Sequence, residues 1–330
     1  MSGSLFVAML LLVFIFQKGV TNSEAWTYST FITFALIANI GFVWYLNLNS
    51  TYDSKVNKDV IIESPITKNH FVISHNVKRK HFDLPNLIEV PTGIIIEKLK
   101  HIDTYNVGLS GWIWQKYPKG VDIEPGIHFP QLSPFAEANF LEMKIKEDRG
   151  DYVFVKWHFR STFIFNFNYL KYPFNTKHIK LQLLHPEYNN NVLFTPDLNG
   201  YPSLNPSMLP GIAKGSETIS SNYILSQFSF TEFPVVGAMD SKMLSELQKI
   251  PALQFEILTR TPFLNALIKQ IIPIMLVSLM IFLLLFNLRV NSKDGRKSIG
   301  VETVAGLLFI LVLSHIDFRK TIFSPSITYL

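Results

Sequence analysis

A chain of 330 residues without a single cysteine excludes disulfide bonds, thiolate metal sites and cysteine catalysis from the outset. Hydrophobic residues make up 48% of it, a share that points to membrane segments beside one substantial folded domain. The net charge of +5 comes from scattered basic residues, and the one dense run, Lys78-Arg79-Lys80, reads as a solvated linker rather than a nucleic-acid patch.

At the N-terminus, Leu5 to Phe16 is apolar but shorter than the ~20 residues a span needs. A signal-peptide core is the other reading, although Met1 to Ser4 carries no basic residue and no small-residue cleavage site follows. Tyr28 to Leu46 is longer and ends in Phe42, Trp44 and Tyr45, aromatics suited to a membrane interface. Together they predict two transmembrane helices over residues 1–48, with Lys18 in the turn between them. That pairing puts Met1 outside, which a lost upstream region would explain. Residues 49–87 are polar and poorly patterned, and read as a linker.

From Glu89 onward the hydrophobic period changes to two. Val107, Leu109, Gly111 and Ile113 share one face, with Trp112 and Trp114 on the other. Val153, Val155, Trp157 and Phe159 alternate with Phe154, Lys156, His158 and Arg160. The same rhythm returns in Phe163 to Tyr169, in Ile179, Leu181 and Leu183, and in Phe228 and Phe230. It ends with Leu253, Phe255 and Ile257 set against Gln254 and Glu256. Short strands with one apolar face, broken by Pro, Gly and Asn turns, predict a β-sandwich over residues 88–260.

Two more apolar segments follow, Pro262 to Leu288 with Pro273 inside it, and Ser298 to Ile316. Between them Arg289, Lys293, Arg296 and Lys297 outnumber Asp294, so this loop is expected in the cytoplasm and the sandwich outside it. The expected fold is therefore an all-β extracytoplasmic sandwich, immunoglobulin-like, plus α-helical transmembrane segments. The expected location is integral to the cell (inner or plasma) membrane.

The order of these features resembles the pentameric ligand-gated ion channels, specifically the bacterial members that lack the Cys-loop disulfide. The run from Val90 to Glu97, continuing through Ile102 and Asp103, looks like the family's first strand and the turn after it. Gly111-Trp112-Ile113-Trp114-Gln115 looks like its second strand. Tyr172-Pro173-Phe174-Asn175, followed by Ile179 to Leu183, resembles the Phe-Pro-Phe-Asp loop and the strand leaving it. Arg260 and Pro262 resemble the junction into the first channel helix, and Ser298 to Ile316 resembles the pore helix. There are departures. The family's two cysteines would fall at Phe165 and Ile179, its aspartate is Asn175, and its glutamine is Lys177. The sequence reaches Leu330 as a third channel helix would begin, so residues 261–330 are expected to hold two channel helices of a partial subunit.

The resemblance implies a homopentamer in membrane lipid that binds a small-molecule ligand of unknown identity and passes monovalent cations. Glu302 has two readings: a glutamate snorkelling to the interface, or a carboxylate ring selecting cations. Helical spacing from it places Ala305 or Gly306, Phe309, Val312 or Leu313, and Ile316 on one face, with Leu308 in place of Phe309 if the register moves by one. Asp103 is the candidate acceptor for Arg260 where the family's aspartate is missing. Tyr172, Pro173, Phe174 and Asn175 would rest on the outer helix ends and act through Arg319 and Lys320. Trp112 and Trp114 are either packing or ligand contacts, since aromatic faces suit cations.

The segment from Val235 to Lys249, expected to cap the ligand site, holds no aromatic residue, which argues against a quaternary-ammonium cage. The nine histidines show no metal-ligand spacing, and no phosphate loop or nucleophile motif occurs, so neither cofactor, metal nor enzyme activity is expected. The alternative to a channel is a membrane-tethered sensor or binding module that conducts nothing.

Overall fold

The computed structural model describes residues 59–167, 169, 176–186, 191–216, 222–234 and 249–260, with isolated helical positions between 27 and 45, 272 and 280, and 305 and 316. The chain divides into two units, Met1–Ser54 and Lys55–Leu330. In the first, the described positions are helical, and Phe31 and Phe34 among them are exposed.

The second unit holds the sheets. Its elements run β1 (Val60–Ile61), α1 (Pro65–His81), β2 (Ile88–His101), β3 (Asn106–Pro118), β4 (Leu141–Asp148), β5 (Tyr152–Ile164), β6 (Thr176–Leu183), β7 (Val192–Pro196), β8 (Asn222–Pro234) and β9 (Lys249–Arg260). Five strands form one sheet in the order β4-β5-β3-β2-β7, and four form the other, β1-β8-β9-β6. All neighbours are antiparallel except β2 and β7.

Alternation explains why these strands pack. On β3, Val107, Leu109 and Ile113 are buried while Trp112 and Trp114 stand on the opposite face. The inward rows of both sheets join in one hydrophobic core, which includes Val155 and Phe159 from β5, Ile179 and Leu181 from β6, and Phe255 and Ile257 from β9. Each such side chain contributes roughly 1.5–3 kcal/mol on burial. Phe129 meets Phe163 edge-on, ring centroids 5.3 Å apart at 75°, an arrangement the aromatic quadrupole favours.

Strand β9 departs from simple alternation. Its outward Gln254 and Glu256 are buried as well as its inward residues. Their polar atoms are satisfied laterally: Gln254 Nε2 donates to Ser229 Oγ at 3.1 Å, and Gln227 Nε2 donates to Glu256 Oε2 at 2.8 Å. His178 Nδ1 stands 2.7 Å from Glu256 Oε1. Burial works to raise the Glu256 carboxyl, yet the hydrogen bonds from His178 and Gln227 hold it below its ordinary range.

A helix of 17 residues, α1, occupies part of the stretch expected as a polar linker. Ser64 caps it, Thr67 returns the bond to the Ser64 N–H at 3.2 Å, and Pro65 stands in the first turn. This is a helix-start signature written in the sequence itself. Phe71 then anchors α1 on β8, stacking on Phe230 at 4.1 Å and 13°.

The expected α-helical transmembrane segments are corrected here. Among the described residues no helix is long and apolar enough to cross a membrane. The longest, α1, carries Lys68, Lys78, Arg79 and Lys80. A run of apolar residues sets what a helix would bury, but crossing requires about 20 of them in one continuous helix. The integral-membrane location, the extracytoplasmic placement and the transmembrane-channel character inferred from those runs are corrected with them.

Candidate functional site

The outer face of the five-stranded sheet gathers charged groups around one indole. Trp112 on β3 lies directly across from His158 on β5 and from Ile95 on β2. A bulge between Ile96 and Lys98 makes Glu97 the extra residue of β2 and re-aims its side chain. Opposite the bulge stands Gly111, where a Cβ would fall 2.0 Å from the Ile95 carbonyl oxygen. Only glycine lets the two backbones approach this closely.

The result is a compact constellation. The Trp112 indole N–H donates to Glu97 Oε1 at 2.7 Å. The His158 ring meets the indole edge-on at 4.8 Å, with Nε2 3.9 Å from Glu97 Oε2. The Lys156 ammonium lies 4.4 Å from the centre of a Trp112 ring. A half-exposed aromatic face with a carboxylate at its rim is electrostatically arranged to hold an ammonium.

Trp114, two residues on, has a different role. Its N–H donates to Asp197 Oδ2 at 2.8 Å, and the same oxygen lies 2.7 Å from the Lys116 ammonium. The indole packs against Tyr201 at 5.5 Å and over Gly93 and Gly200, where no Cβ would fit. Tyr201 in turn donates to the Ile94 carbonyl at 2.8 Å, and burial pushes its phenol far up. Trp114 fastens the Leu198–Gly200 turn to the sheet, whereas Trp112, equally half-buried, is ringed by Glu97, Lys156 and His158.

At one end of the sandwich, Asp103 closes its own turn. Its Oδ1 accepts the Tyr105 and Asn106 backbone N–H groups, both at 2.8 Å, and its Oδ2 accepts the Asn106 amide at 2.7 Å. Burial would raise this carboxyl, but the bonds from Asn106 and Tyr105 outweigh it and hold it low. Arg260, exposed at the end of β9, pairs through its backbone with Thr176 and Asn222. Among the described residues no ion pair joins Arg260 to Asp103.

Ala305, Gly306, Phe309, Leu313 and Ile316 are helical and exposed, and their expected pore-lining role rests on the sequence alone. Glu302, Tyr172, Pro173, Phe174, Asn175, Arg319, Lys320 and the expected capping loop over 235–248 lie outside the described residues. Three groups of the Trp112 constellation carried no assigned role in the sequence reading: Glu97, Lys156 and His158. Alternation along β5 marks Lys156 and His158 as outward. The bulge that turns Glu97 toward them has no local sequence signal beyond Gly111.

No protein-family model and no curated protein matches the chain. Among the described residues no group of three His, Asp or Glu side chains is placed to hold a metal.

Proposed function

We propose that the sandwich is a ligand-binding module of the pentameric ligand-gated channel type, taking a small amine-bearing ligand on the Trp112 face. The observation that carries this is the position of Lys156. Its ammonium lies 4.4 Å from the ring of an indole whose N–H donates to Glu97, and it occupies the place a ligand's ammonium would take. Lys156 is thus an internal competitor that a ligand displaces. Binding, not catalysis, is the activity proposed.

Calorimetric titration of the protein with methylamine, choline and phenethylamine tests this. A cation–π contact contributes ~0.5–2 kcal/mol, so Trp112→Ala should weaken a binding amine by roughly 2- to 30-fold. Lys156→Gln should strengthen it. Binding indifferent to both changes, or no binding by any of the amines, would overturn the reading. The resemblance also implies a homopentamer, and native mass spectrometry of the full chain should then show a five-subunit mass; a monomer would remove that part.

A further inference from the structure

Three inward-facing rows of the core end in polar residues at the same end of the sandwich. On β6 the row Leu183, Leu181, Ile179 continues into Lys177, and on β9 the row Leu253, Phe255, Ile257 continues into Thr259. On β2 the inward row passes Leu99 and ends at His101. Lys177 and Thr259 are direct cross-strand partners, so their side chains share a face. Thr259 is fully buried, with its hydroxyl 3.5 Å from His101 Nε2.

The aromatic residues that follow β5 cover this layer. The Lys177 ammonium lies 5.6 Å from the ring centres of both Phe167 and Tyr169, and the His101 ring meets Phe167 at 5.8 Å. Phe167 therefore brings Lys177 and His101 together. Tyr169 is tied down by donating to the Thr104 carbonyl at 2.9 Å.

Two electrostatic facts about this layer need a common cause. Lys177 has no carboxylate partner among the described residues, although a largely buried ammonium without a counter-charge is costly. His101 Nδ1 is buried without a hydrogen-bond partner. The Thr259 hydroxyl lies 3.5 Å from Nε2, and where it donates there the neutral ring carries its proton on Nδ1. Burial lowers the Lys177 amine to about 8, so it is still an ammonium at neutral pH. Burial, reinforced by the Lys177 charge, pushes His101 down to about 3 and keeps it neutral.

We infer that Lys177 and His101 form a binding site for a small monovalent anion of the halide class, held between the two sheets. The ion supplies the counter-charge that no described residue gives Lys177 and, with the ring proton on Nδ1, the acceptor that His101 is without. Size follows from position: the site closes a packed core under two aromatic rings, which suits a single-atom ion that sheds its water readily. Neither the amine site on Trp112 nor the family resemblance contributes to this inference. Lys177 stands where the family pattern has glutamine.

The test is thermal unfolding of the full chain in sodium chloride, sodium bromide and sodium gluconate at equal ionic strength. The wild-type midpoint should rise with the logarithm of halide concentration and stay level in gluconate. Lys177→Met should abolish the difference between halide and gluconate. A midpoint indifferent to halide in the wild type, or an unchanged halide dependence in Lys177→Met, would overturn the inference. Should that variant fail to fold, the ³⁵Cl line width of chloride over the wild-type protein decides. Excess broadening that bromide displaces, and that His101→Phe diminishes, supports the site; its absence, or its persistence in His101→Phe, overturns it.

Discussion

Gly93 faces Trp114 directly across the β2–β3 ladder, and a Cβ at position 93 would sit 2.0 Å from an indole ring carbon. The glycine is a seat for the indole, so Gly93→Ala must drive Trp114 out of its place over Asp197. Overpacking of this kind costs typically ~1–3 kcal/mol. Equilibrium denaturation should show a lowered midpoint with a similar slope, and an unchanged midpoint would mean the indole has room that the geometry denies.

Asp197 is the anchor of the same unit, buried and shared between the Trp114 N–H and Lys116. Its removal strands a partly buried ammonium and a buried donor together. Asp197→Ala should cost about 3–5 kcal/mol, the range for breaking a buried pair from one side. Asp197→Asn keeps an acceptor for the indole and should lose less. Chemical denaturation of both variants checks the order.

The pH dependence of stability carries a third expectation. His101 has its proton affinity depressed on folding, from the ordinary 6.5 to about 3, because it is buried and near Lys177. The unfolded chain therefore binds this proton across a range where the folded chain refuses it, and stability falls as pH falls from about 6.5 toward 3. His101→Phe should flatten that part of the profile. The loss due to Glu256, a carboxyl held low in the fold, would remain at the acid end in both proteins. Lys177 acts at the other limb: stability should rise as pH increases from about 8 toward the ordinary lysine value.

Much of the sandwich was legible in the sequence because β3 and β5 each bury one face. Val107, Leu109 and Ile113, or Val155, Trp157 and Phe159, are buried at alternate positions and register in the simplest possible way. The reading blurred where that condition fails. Past Ile164, Phe165 keeps the rhythm of β5 but bonds to the Tyr105 carbonyl from outside the strand. On β9, Gln254 and Glu256 alternate with the inward row, and only the lateral network with Ser229, Gln227 and His178 reveals why they too are buried. α1 was hidden because its exposed face carries Ile66, Ile73 and Val77, which spoils the amphipathic pattern, while its start signal at Ser64 and Thr67 is a matter of single residues. Among the site residues, Trp112 and Trp114 were both visible as outward aromatics. Their different roles depend on Asp197 and Glu97, which are distant in sequence or turned by a bulge. Apolar composition outside the sandwich pointed to membrane helices, and composition does not by itself establish a continuous span.

The most direct test is a ¹⁹F spectrum of protein labelled with 5-fluorotryptophan, in which the five tryptophans give separate resonances and Trp112→Phe assigns one. Choline and phenethylamine are titrated in turn. A shift of the Trp112 resonance that saturates while Trp114 stays in place is the predicted result, with the shift reached at lower concentration in Lys156→Gln. A Trp112 resonance that never moves, or moves only in step with Trp114, would contradict ligand binding at this face.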